Sequence, residues 1–124
     1  NSFRLSEKTE KEKKIKKESI QKATLNAIEI PLKIMRLSLE LMDLIKTLVQ
    51  KGNPNSVSDV GVAALCARSA VLGAHLNVII NAKDYSDKKS RNELLKEAER
   101  IKTKAIKQEK SILDITLTII NNST

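Results

Sequence analysis

The sequence predicts an all-α bundle of long helices, and three observations carry that expectation. Three glycines and two prolines in 124 residues leave few places for a helix to break. Apolar residues recur at steps of three and four along most of the chain, and no alternating strand pattern competes. The aromatics are only Phe3 and Tyr85, so Leu, Ile, Val and Ala must fill the interior.

Taken in order, Ser6 and Thr9 can cap a first helix that opens "EKTEKEKKIKKESIQKATLNAIEI". Its apolar positions Ile15, Ile20, Ala23, Ala27 and Ile30 fall at helical spacing. Pro31 removes a backbone donor, so a kink or a restart is expected there. Beyond it "LKIMRLSLELMDLIKTLVQK" is amphipathic, with Ile34, Leu37, Leu41, Leu44, Ile45 and Leu48 as the expected core side. Gly52 should stop this helix, with Lys51 near its carbonyl end as the helix dipole prefers. Ser56 and Asp59 have the S-x-x-D capping pattern, so a central helix is expected from about Val57 to about Ala82. "YSDKKSRN" separates it from a last helix over roughly Asp87 to Asn121. The expected core face of that helix is Leu94, Leu95, Ala98, Ile101, Ala105, Ile112, Ile115, Leu117 and Ile120.

Composition bounds the function. Forty percent hydrophobic and 31% charged residues are ordinary for a soluble globular protein. The net charge of +8 describes either solvated lysine faces or attraction to an anionic partner. Nucleic acid is not expected as that partner, because no aromatic stacking platform accompanies the basic residues. Cys66 is the single cysteine, which excludes an intramolecular disulfide and a thiolate cluster. A lone His75 argues against zinc, and no metal site is predicted. The apolar stretch from Val60 to Ile80 is interrupted by Arg68, His75 and Asn77, so no membrane span is expected, and the setting reads as cytoplasmic.

The central helix is apolar nearly all round, which predicts a buried position. Ala63, Ala67, Ala70, Ala74, Asn77 and Asn81 form one stripe of mostly small residues, and Val60, Val71 and Val78 belong to a second. Polar groups inside such a helix need partners, at about 1–3 kcal/mol each if left without. Asn77 and Asn81 either cap neighbouring helices, bond across a subunit interface, or meet a ligand. Ser56 and Asp59 either cap the helix or belong to a site that includes Asn53 and Asn55. His75, sharing a face with Arg68, reads first as a satisfied core histidine.

"GNPNSVSDVGVAALCARSAVLGAHLNVIINAKD" resembles the signature of the formiminotransferase-cyclodeaminase C-terminal family. The matching phrases are G-N-x-N-S-x-S-D-x-G-V-A and G-A-x-L-N-V-x-I-N, supported by "FRL" from Phe3, "ESIQKAT" from Glu18 and "IPLKIM" from Ile30. Similar family members carry a preceding glycine-rich P-G-G-G-[ST] segment. On that resemblance residues 1–124 are one helical domain, the C-terminal part of a cyclodeaminase or cyclohydrolase domain, expected to turn over little substrate alone.

The resemblance implies folate one-carbon chemistry. In a cyclodeaminase, N10 of tetrahydrofolate attacks the formimino carbon on N5, ammonia leaves and 5,10-methenyltetrahydrofolate forms. In a methenyltetrahydrofolate cyclohydrolase, water adds to the same methenyl carbon. Both need a proton-moving group and a polar surround for developing charge. Asp59 is the expected catalytic group. Asn53, Asn55, Ser56, Asn77 and Asn81 are expected to bind the pterin, and Arg68 with the lysine-rich first helix the glutamate tail, which can be polyglutamylated. No cofactor is expected beyond the folate substrate, and a homodimer is expected. A non-catalytic oligomerisation module and a basic binding module are the readings from other classes.

Overall fold

The computed structural model describes residues 2–122, with side chains from Arg4 onward; Asn1 and the side chain of Phe3 lie outside the described residues. Three helices follow one another: α1 over Ser2–Gln50, α2 over Val57–Ala82 and α3 over Lys88–Asn122. Short turns force an up-down-up path, and the cross-links fix its register. Arg36 and Asp43 of α1 meet Glu97 and Gln108 of α3, so these two helices run parallel. Arg68 and His75 of α2 meet Glu109 and Glu99 in reversed order, so α2 runs against α3.

The first helix departs from expectation at both ends of its first half. It starts by Ser2, before either proposed cap, and Thr9 instead donates back to the Leu5 carbonyl at 2.8 Å. Pro31 sits inside the unbroken helix. Proline at 31 leaves the carbonyl of Ala27 without its usual donor four residues on. Asn81 of α2 supplies one, its Nδ2 donating to the Ala27 oxygen at 3.2 Å. The neighbouring helix thus replaces the missing bond, and the helix continues.

The core face of α1 is also different. Buried are Ile28, Leu32, Met35, Leu39, Met42, Ile45 and Val49. Of the expected seam only Ile45 is buried; Ile34, Leu37, Leu41, Leu44 and Leu48 stay 46–64% exposed. Ile15, Ile20 and Ile30 are exposed as well. The middle of α1 therefore carries two apolar seams, and its own bundle uses one.

Gly52 closes α1 with φ +70°, the left-handed geometry that glycine adopts without strain, and its N–H reaches the Val49 carbonyl. At the other end Gln21 clamps the α2–α3 turn, accepting from the Ser86 N–H and hydroxyl and donating to the Asp84 carbonyl. Asp87 caps α3 by accepting the Ser90 N–H at 3.0 Å. Residues 4–20 of α1 are exposed throughout, and α1 runs roughly 28 Å beyond Gln21 at 1.5 Å per residue.

In α2 the buried positions include Val57, Ala64, Ala67, Val71, Ala74 and Val78. A larger share of α2 is buried than of either neighbour, yet Val62, Leu65, Leu76 and Ile80 remain exposed, so it is not enclosed all round. By length and composition α2 could cross a membrane. In this bundle its Arg68 and His75 are paired with carboxylates of α3. In α3 the buried set is Ala98, Ile101, Ala105, Glu109, Ile112 and Thr116; Leu117 and Ile120, expected in the core, are exposed.

Candidate functional site

The turn joining α1 to α2 is built by its own polar residues. Asn53 Oδ1 accepts the Asn55 N–H at 3.0 Å, and the Asn53 carbonyl accepts the Ser56 N–H at 3.3 Å. These bonds tighten the turn as asparagine commonly does. Ser56 precedes α2 with φ −121° and ψ 3°, and its hydroxyl makes no capping bond. A side-chain cap normally needs extended backbone at that position. The S-x-x-D pattern is present and the capping box is not formed. Among the described residues, the Ser56 hydroxyl and the Asp59 carboxylate have no hydrogen-bond partner within the chain.

Both groups face a cleft of about 400 Å³ between the end of α1 and the start of α2. Ile45, Leu48, Val60 and Ala63 form its apolar wall, and Lys51, Asn53, Ser56 and Asp59 its polar rim. Such a mixture, apolar walls with few placed polar groups, suits a small ring system. The N–H groups of the first turn of α2, which have no intrahelical acceptor, lie at the same end. Asn55 is exposed and is not among the lining residues. Lys51, read from sequence only as a helix-end charge, brings an ammonium to the rim.

The other expected site residues lie elsewhere. Asn77 and Asn81 line a second, smaller cleft of about 280 Å³ with Ala27, Ile30, Pro31 and Ile34. Eighteen residues of helix separate Asp59 from Asn77, roughly 27 Å. One chain therefore does not bring the two asparagine motifs together. Asn81 is committed through Nδ2 to the Ala27 and Asn77 carbonyls, while Asn77 forms no side-chain bond among the described residues.

Arg68 points to the α2–α3 seam, away from both clefts. Its Nη1 donates to both oxygens of buried Glu109, at 3.1 and 2.9 Å. His75 is buried on the same seam, with Nε2 3.3 Å from a Glu99 oxygen. Cys66 is exposed.

The family model for formiminotransferase-cyclodeaminase matches residues 1–100. The chain belongs to the formiminotransferase-cyclodeaminase family. Methenyltetrahydrofolate cyclohydrolase of Methylorubrum extorquens is 38% identical over 104 residues, 84% of this chain and 50% of that protein. Formimidoyltransferase-cyclodeaminase of Rattus norvegicus is 31% identical over 108 residues, 87% of this chain and 19% of that protein. The Dictyostelium discoideum protein of the same name is 34% identical over 97 residues, 78% of this chain and 18% of its own length. The chain thus spans about half of the first relative and under a fifth of the other two. The formiminotransferase-cyclodeaminase match includes both asparagine motifs, the one in the α1–α2 turn and the one ending α2.

Proposed function

We propose that this chain is the helical part of a folate one-carbon enzyme, acting at the carbon that bridges N5 and N10 of tetrahydrofolate. The observation that supports it is the α1–α2 cleft, where an unpartnered carboxylate and hydroxyl border an apolar wall. The pterin ring would lie against Ile45, Leu48, Val60 and Ala63. Asn53 Nδ2 and the Ser56 hydroxyl would bond its polar edge, with Asn55 the outermost of the three. Asp59 would stabilise the amidinium-like carbon and take the proton that N10 loses as it attacks, while the formimino nitrogen leaves as ammonia. Lys51 at the rim suits the anionic tail better than Arg68, whose charge is engaged by Glu109.

Cyclodeamination is the first reading, and residues 53–59 serve either reaction. Hydrolysis of the methenyl group is the second, supported by the 38% identity to a cyclohydrolase. Both use the same carbon and the same carboxylate. The proposal takes the protein as a homodimer, since a row of large aliphatic side chains on α1 lies open to solvent.

The test is Asp59→Asn in the full-length protein, assayed for ammonia release from formimino substrate and for hydrolysis of methenyl substrate. A fall of about 10²- to 10⁴-fold with unchanged helicity is the expected result for a lost proton acceptor. Wild-type rates in both assays would remove Asp59 from the chemistry.

A further inference from the structure

The stretch "KEAERIKTKAIKQEK" from Lys96 to Lys110 reads as an even mixture of charge, and folding sorts it. Its carboxylates are spent on the neighbouring helices. Glu97 holds Arg36 of α1, while Glu109 and Glu99 meet Arg68 and His75 of α2. Lys89, Lys96, Arg100, Lys104, Lys107 and Lys110 stand on the side of α3 opposite Ala98, Ile101, Ala105 and Ile112. All six are exposed, and among the described residues none is held in a salt bridge.

The result is a straight cationic stripe. Its members follow at steps of 7, 4, 4, 3 and 3 residues and span roughly 31 Å at ~1.5 Å per residue. A hollow of about 450 Å³ lies along its middle, lined by Lys96, Glu99, Arg100, Thr103, Lys104 and Lys107. Thr103 is the short side chain among them. Thr9, Thr24, Thr47, Thr116 and Thr118 each donate their hydroxyl to a carbonyl four residues earlier. Among the described residues Thr103 does not, which leaves its hydroxyl to a molecule seated in the hollow. The projecting start of α1 is rich in lysine too, but it differs. Glu7, Glu10, Glu12 and Glu18 stay exposed among those lysines, and Lys13 lies 3.9 Å from Glu10.

We propose that the stripe docks an acidic segment of another protein, a run of Asp and Glu carboxylates laid along α3. Charge complementarity selects that class. Carboxylates recur on one side of an extended chain about every 7 Å, and on one face of a helix every three or four residues. Either spacing suits cations that follow one another at ~4.5–6 Å over most of the stripe. A nucleic-acid strand fits less well, since the stripe offers a base no aromatic side chain and has one arginine for five lysines. A bilayer also fits less well. The large aliphatic that reaches the surface along this stretch is Ile106, only 36% exposed, which gives little to insert.

The stripe is separate from the folate cleft. Arg68 meets Glu109 and His75 meets Glu99, which sets Asp59 level with about residue 117 of α3. Lys107 lies roughly 15 Å from that level along the axis. The stripe also faces away from α1 and α2, whose residues form the cleft. The docking surface therefore stands whether or not the chain turns over folate.

The test uses the full-length protein and a labelled, α-linked oligoglutamate peptide, titrated at low ionic strength and followed by fluorescence anisotropy. The wild type should bind it, with an affinity that falls steeply as salt rises. Lys96→Glu, Lys104→Glu and Lys107→Glu together should weaken binding about tenfold or more, because several exposed ion pairs are lost at once. The milder triple Lys96→Gln, Lys104→Gln and Lys107→Gln should fall between the two and keep the far-ultraviolet helical signal. Lys8→Glu, Lys11→Glu and Lys14→Glu remove the same charge from α1 and should weaken binding less than about threefold. Equal losses in the two Glu triples would mean that affinity follows net charge alone, and would overturn the surface. A wild type that does not bind the peptide overturns it as well. An oligothymidylate of equal charge and phosphatidylserine vesicles then probe the occupant. Tighter binding of either one than of the peptide, lost in the α3 triple, overturns the acidic protein segment in favour of nucleic acid or membrane.

Discussion

Pro31 and Asn81 illustrate how one residue's deficit defines another's task. Ala27 borders the smaller cleft, and Asn81 is the donor to its carbonyl in place of the missing N–H. Asn81→Ala should therefore cost about 1–2 kcal/mol in urea unfolding, because a carbonyl loses its bond. In a Pro31→Ala background the helix supplies its own N–H, and the cost of Asn81→Ala should fall to a few tenths. A double-mutant cycle without coupling would show that the two residues act separately. The glycines of α2 make a second pair. A Cβ on Gly61 would stand 3.0 Å from Thr116 Cγ2, whereas one on Gly73 meets open space. Gly61→Ala should destabilise by about 1 kcal/mol, since overpacking outweighs the gain in helix propensity. Gly73→Ala should stabilise the dissociated chain by about 1 kcal/mol. Thermal unfolding at low protein concentration measures both. Sequence marked Ser56 and Asp59 as notable but not why, because the pattern of a capping box says nothing of ψ at Ser56. The backbone there is turned rather than extended, and that frees both side chains.

At the scale of helices, α1 and α3 are pinned by one bidentate pair. Arg36 Nε and Nη2 donate to the two Glu97 oxygens at 2.7 and 2.6 Å. The hydrogen bond from Arg36 holds the Glu97 carboxyl below its ordinary range, and partial desolvation opposes this. A carboxyl lowered in the folded state adds stability above its unfolded pKa of about 4.3, and loses it as pH falls through the lower folded value. Because both groups are partly exposed, Glu97→Gln should cost no more than about 1 kcal/mol at neutral pH. That difference should shrink below about pH 4 and vanish once the native carboxyl is protonated; an unchanged gap at pH 2 would exclude the pair as its source. The helices themselves were legible in the sequence, since few glycines and prolines and a steady step of three and four leave little else. The face of α1 was not. Ile30 to Leu48 and Ile28 to Val49 are equally apolar and equally periodic, and only packing against α2 and α3 decides between them. Leu117 and Ile120 likewise read as core, yet Ile112, Thr116 and Ile119 hold the core face at that end of α3 and leave those two on its outer side.

As a whole, the described residues form a three-helix bundle with a full core and one apolar outer face. Its candidate site follows the same division. The cleft holding Asp59 was legible because four polar residues cluster at the start of an apolar helix, but the distance to Asn77 belongs to helix length and no motif records it. If the outer face is an interface, stability must depend on protein concentration, because dissociation precedes or accompanies unfolding. Leu41 is near the centre of the seam, half-exposed, and outside the core of its own chain. Leu41→Lys should therefore leave the far-ultraviolet helical signal intact while placing an ammonium group in any interface formed through that face. For the wild type, Tm should climb by several degrees from low to high micromolar protein; for the variant it should stay flat. A wild-type Tm that ignores concentration, with a sedimentation mass of 13.8 kDa, would leave that face without a second copy.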